Sequence, residues 1–126
     1  MSDDIRISAV TGEQFEALIH DNEIVIIDFW AVWCAPCKAF SHVYEKVAAQ
    51  YKNIVFAKVN IEEESELAEA FQIRSIPHLM VFKKGIVIYS EAGSMPESTL
   101  KELVQQALDA DVSKIKAELE SEGKTS

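Results

Sequence analysis

Hydrophobic and polar residues recur along this chain with two different periods, and each change of period marks a new element. Ile5 to Ala9 reads as an edge strand. Thr11-Gly-Glu-Gln14 has the capping-box pattern, and Phe15, Leu18 and Ile19 follow on one helical face. Residues 23–30, EIVIIDFW, form a short continuous β-branched run, the pattern of a strand buried on both faces. KAFSHVYEKVAAQY then places Phe40, Val43, Tyr44, Val47 and Tyr51 at helical spacing. Residues 53–61, NIVFAKVNI, read as a third strand. Glu62 to Phe71 reads as a short helix, its opening glutamates suited to the positive end of the dipole. His78–Phe82 and Ile86–Tyr89 are two strands, and Lys84-Gly85 between them predicts a hairpin. Ser94-Met-Pro-Glu97 repeats the capping-box pattern before Leu100, Leu103, Val104, Ala107 and Leu108. Val112, Ile115 and Leu119 continue that stripe, which predicts a last helix running to about residue 121 before a polar end. The order βαβαβαββα predicts an α/β fold, a mixed sheet with four helices distributed on both faces.

Composition narrows this picture. With 126 residues and 48% hydrophobic content, the chain suits one domain with one core. It has no apolar run long enough to span a bilayer. The opening MSDDIRIS is acidic, whereas a secretory leader begins basic and continues apolar, so the expected location is the cytoplasm. A formal net charge of −9 argues against nucleic acid or an anionic membrane surface as a partner.

The chemistry concentrates at FWAVWCAPCKAF, residues 29–40, which holds both cysteines of the chain, Cys34 and Cys37. As a structural staple the pair is poorly placed. Closing so small a ring stabilises by roughly 2 kcal/mol, against nearly ~5 kcal/mol for a loop of about a hundred residues. A structural zinc site needs four ligands, and His20, His42 and His78 lack finger-like spacing. Redox chemistry, which uses two neighbouring thiols directly and needs no metal or cofactor, is the remaining reading. The pair lies where a buried strand turns into a helix. Pro36 is tolerated in a first helical turn, because its missing N–H has no partner there anyway. Free N–H groups and the helix dipole then face the Cys34 sulfur and favour its thiolate. Cys37, about one turn on, is expected to be less exposed. Asp28 is the single charge within the apolar run of the second strand, where an unpaired carboxylate is costly.

From about residue 5 to residue 110 the chain resembles the thioredoxin family. The matching motifs are DFWAVWCAPCK, AKVN, IRSIPHLMVFKKG and Gly93. The resemblance implies the thioredoxin fold: a five-stranded sheet in the order 1-3-2-4-5, with strands four and five antiparallel to a central strand two. It implies reduction of disulfides in client proteins, with a thioredoxin reductase recharging the oxidised form. Cys34 would attack the substrate disulfide and Cys37 would resolve the mixed disulfide. Asp28 would relay the proton of the second cysteine, with Lys58 on the neighbouring strand as its ionic partner. Pro77 would be a cis-proline that exposes the Ile76 backbone to an extended substrate. Trp33, Ala35, Pro36, Ile76, Pro77 and Gly93 would form the docking surface, with Trp30 packed beneath the loop.

Some positions depart from the family pattern. Ala35-Pro36 stands where Gly-Pro is common, which should tune potential or selectivity. His78 replaces the usual threonine, and either stabilises the thiolate as a cation or is a partly exposed side chain without redox effect. His42 replaces a helix-kinking proline and is expected to have no catalytic role. Residues 1–110 thus read as the thioredoxin domain, and 111–126 as a helical extension with a polar tail. That extension either packs on its own chain, leaving a monomer, or offers a dimer contact. The alternative function is a non-catalytic binding or scaffold use of the fold.

Overall fold

The computed structural model describes residues 7–9, as backbone, and 11–113. Nine elements follow one another as the hydrophobic pattern predicts: β1 (Ile7–Ala9), α1 (Gly12–Asp21), β2 (Ile24–Trp30), α2 (Ala35–Ala48), β3 (Val55–Asn60), α3 (Ser65–Ala70), β4 (His78–Lys83), β5 (Ile86–Ala92) and α4 (Glu97–Asp109). Four longer strands, in the order β3-β2-β4-β5, form the body of a mixed sheet. The short β1 adds to its outer edge in parallel with β3, giving β1-β3-β2-β4-β5. β2 runs parallel to β3 and antiparallel to β4. β5 pairs antiparallel with β4 and so runs parallel to β2, contrary to the expectation that both would oppose it, because a tight hairpin reverses the chain between β4 and β5.

Alternation along the central strand sorts the core into two layers. Ile24 and Ile26 point to the face covered by α2 and α4, where they meet Phe40, Tyr44, Val47, Leu100 and Val104. Val25, Ile27 and Phe29 point to the opposite face, with Phe15 and Ile19 of α1. Asp28 shares the parity of Ile24 and Ile26, so its carboxylate lies on the α2 side. The capping box of α1 forms, with the Gln14 N–H donating to Thr11 Oγ1 and the Thr11 N–H to Gln14 Oε1. The hairpin turn also forms, with Lys84 and Gly85 both at positive φ, 52° and 81°.

Three boundaries differ from the expectation, each for a visible reason. The helix expected from Glu62 begins only at Ser65, because Asn60 Oδ1 accepts the N–H groups of Glu62 and Glu63 in a turn. Ser94 does not cap α4. Met95 precedes a proline and is steered away from helical geometry, so the helix starts at Glu97 with Pro96 as its N-cap. The expected extension of α4 towards residue 121 is overturned within the described residues. The helix stops at Asp109, and Ala110 is extended with ψ 137°. The buried Lys83 ammonium donates to the carbonyls of Ala107, Leu108 and Ala110 at 2.7, 2.9 and 2.6 Å, capping that end. Val112 then turns into the core and Leu108 stays exposed. Ile115, Leu119 and the rest of the expected tail lie outside the described residues.

Candidate active site

The first turn of α2 is organised by Cys34 itself. It is the N-cap, extended at φ −92° and ψ 106°, and its carbonyl accepts the first helical bond, from the Lys38 N–H at 3.2 Å. The Cys37 N–H donates to Cys34 Sγ at 3.2 Å. A sulfur thus does the work usually given to a serine or aspartate oxygen at this position. Pro36 occupies the same turn, as expected. The two cysteines form a disulfide, with Cα atoms 5.2 Å apart. They are nearly equally buried, Cys34 at 4% exposure and Cys37 at 2%, so the expected contrast between them is narrow in this oxidised state.

Around the disulfide the structure gathers residues from three loops. Ile76 packs against the cysteines, and its carbonyl oxygen lies 3.8 Å from Cys34 Sγ. The Ile76–Pro77 peptide bond is cis. The Gly93 N–H donates to the Pro77 carbonyl at 2.7 Å, which brings the end of β5 to the same rim. Trp33, Ala35 and Pro36 are exposed, Trp33 at 63%, and Val32 beside it is exposed as well. The Trp33 indole N–H donates to Glu62 Oε2 at 2.7 Å, a contact that no local pattern announces. Trp30, at the end of β2, packs against the cysteine cluster.

Two residues before Trp30 on β2, Asp28 is fully buried, and neither carboxylate oxygen has a hydrogen-bond partner. Burial raises its pKa from an ordinary 3.8 to about 7, and the nearby Lys58 charge opposes part of that rise. The two residues are register partners across β2 and β3. The direct ion pair expected between them is nevertheless not formed. The Lys58 ammonium donates to Ser41 Oγ at 2.6 Å and sits 5.6 Å from the centre of the Trp30 ring. A hydrogen-bonded hydroxyl and an aromatic face hold the cation at the rim. Ser41 was not singled out by the sequence reading. Its signal was a polar residue one turn after Cys37, on the stripe that also carries Phe40 and Tyr44.

His78 points elsewhere. Its ring lies edge-on to Phe29, with centroids 6.2 Å apart, and Nε2 is 2.8 Å from Ser90 Oγ. Desolvation lowers its pKa, although Glu91 pulls the other way. Among its described contacts none reaches Cys34. His42 is exposed on an α2 that runs unbroken from Ala35 to Ala48. Among the described residues, no group of three or more histidine, cysteine or acidic side chains is placed to hold a metal ion.

This site sits at the end of a central strand, where a disulfide closes the first turn of a helix. Comparison with known proteins agrees with that chemistry. The family model described as Thioredoxin matches residues 6–106. A putative thioredoxin 2 of Streptomyces coelicolor is 43% identical over 107 residues, covering 85% of this chain and 80% of that protein. Among solved structures, a mutant thioredoxin from Halobacterium salinarum superposes with a TM-score of 0.76 at 28% identity, covering 83% of this chain and 92% of its own. Plasmodium falciparum thioredoxin gives 0.73 at 36% identity, covering 79% and 96%. With its redox disulfide in the family position, the protein is a thiol–disulfide oxidoreductase acting on protein disulfides, with no cofactor beyond its own sulfur pair. The chain belongs to the thioredoxin family.

Proposed function

We propose that the protein is a cytoplasmic disulfide reductase in which Cys34 attacks and Cys37 resolves, recharged by a thioredoxin reductase. The observation that carries this reading is the capped sulfur: a backbone N–H already points at Cys34 Sγ across the first turn of α2. In the reduced protein that donor and the helix dipole favour the thiolate. The Cys34 thiolate attacks one sulfur of a client disulfide, a mixed disulfide forms, and the other client sulfur leaves with the electron pair. Cys37 then gives its proton to the Asp28 carboxylate and attacks Cys34 Sγ. The Cys34–Cys37 bond forms, and the second client sulfur leaves as a thiolate. The client gains two electrons, and the protein ends as its disulfide. Closeness makes this second step intramolecular, which raises the effective concentration of the resolving thiol by orders of magnitude.

In the same reading, Trp33, Ala35, Pro36, Ile76, Pro77 and Gly93 receive the client segment, whose backbone runs along Ile76 as an added strand. Trp30 supports the site from beneath, Lys58 offsets the Asp28 charge, and His78 contributes shape. The protein works as a monomer, with residues 1–110 as the catalytic domain and 111–126 as an appendage. The test is turbidity-detected reduction of insulin by the dithiol form. Cys34→Ser is expected to abolish turnover, and Cys37→Ser to stall at a trapped mixed disulfide. Persistence of both activities would leave only a scaffold role for the site.

A further inference from the structure

We infer that Ser41 is a positioning residue for this chemistry: its hydroxyl holds the Lys58 ammonium at the rim of the site and so keeps Asp28 free of a direct ion pair. The inference rests on the reading of Asp28 as the proton acceptor for Cys37. Four observations carry it. Asp28 and Lys58 face each other across adjacent strands, yet the carboxylate is unpartnered and fully buried. The ammonium instead meets Ser41 Oγ at 2.6 Å. Ser41 in turn donates to Glu45 Oε2 at 3.1 Å, which orients its oxygen lone pairs towards Lys58 and links the ammonium to an exposed acid. Finally, Trp30, Cys37, Lys38, Ser41 and Lys58 line a small cavity of about 80 Å³, into which the long lysine side chain can relax if its anchor is removed.

The electrostatics give the anchor its purpose. The groups facing Asp28 are few: Lys58 from β3, and Tyr44 from α2, whose hydroxyl feels the Asp28 charge. Cys37 of α2 borders the cavity. From β4 this face receives Leu79 and Val81, with Lys83 at the far end of the strand bonded to the end of α4, and from α4 it receives Leu100, Val104 and Ala107. An ammonium brought against the carboxylate would stabilise its charge strongly in such surroundings, and the group would cease to bind a proton near neutral pH. Held at the rim, Lys58 moderates the carboxyl without trapping it as a permanent anion.

The experiment follows the Asp28 carboxyl by ¹³C NMR titration of the oxidised protein. In Ser41→Ala, a change that helices favour, the proton affinity of Asp28 is expected to fall by about tenfold or more, the effect of an opposite charge moving into contact. Ser41→Thr keeps a hydroxyl and is expected to retain the wild-type midpoint. In Ser41→Ala/Lys58→Met the fall should vanish, because no ammonium remains to approach. A Ser41→Ala midpoint that stays in place or rises overturns the inference. The underlying reading has its own arm, the pH profile of mixed-disulfide resolution in Asp28→Asn. An unchanged profile there removes Asp28 as proton acceptor, while the Ser41→Ala titration still reports where Lys58 sits.

Discussion

Asp28 makes the sharpest statement at the scale of single residues. Its folded pKa, about 7, lies above the ordinary 3.8. Between those values the folded protein holds a proton that the unfolded chain has already released. Stability contributed at low pH is therefore lost as pH rises through that window. The difference corresponds to an order of about 4 kcal/mol. Asp28→Asn imitates the protonated form at every pH. Urea denaturation of the oxidised proteins is expected to give similar stability near about pH 4, with the variant ahead by a few kcal/mol near about pH 7 (roughly 2–4 kcal/mol). Parallel curves would mean that the carboxyl is less desolvated than its burial indicates. The anomaly itself was visible in the sequence, as one acid inside EIVIIDFW. Its actual surroundings were not, because the nearest cation is turned away by a serine on another element.

Among the elements, α4 shows how a distant side chain sets a boundary that periodicity cannot. The stripe of Leu100, Val104, Leu108 and Val112 is regular enough to continue, but the Lys83 ammonium caps the otherwise unpaired carbonyls of the last turn and holds the extended Ala110 beyond it, which fixes the stop. Lys83→Met would keep the apolar stem and leave those carbonyls without their donor. A loss of about 3 kcal/mol is expected in denaturant melts, the range for breaking a buried network with a charged donor. Hydrogen exchange should rise first in the last turn of α4. The same contrast explains what could be read in advance. β2, α2, the hairpin turn and the first capping box depend on neighbours within a few residues, and their pattern declared them. The Trp33–Glu62 contact, the Ser41–Lys58 contact and the end of α4 depend on residues brought together only by the sheet. For those the sequence carries types without addresses. Within the site, the cysteine pair, Ile76, Pro77 and Gly93 were all named from their motifs, whereas the contacts that bring them to one rim, such as Gly93 N–H to the Pro77 carbonyl, needed the loops to be seen side by side.

For the whole molecule, one hydroxyl decides how far a change at the sulfurs can travel. Tyr44, two turns beyond Cys37 on α2, places its hydroxyl 2.8 and 2.7 Å from the carbonyls of Ile26 and Ala57, and the Ala57 N–H reaches it at 3.2 Å. A helix riveted in this way to both central strands cannot slide or tilt when the disulfide opens. The adjustment between the two redox forms must be absorbed upstream, in the nearly two turns from Cys34 to Phe40 and the loops that touch them. Amide exchange measured on both forms should therefore differ there and coincide along the rest of α2, from Val43 to Ala48. A partner that tells the charged from the spent protein would then have to read that small rim, since the rest of the surface carries no record of the sulfur's state.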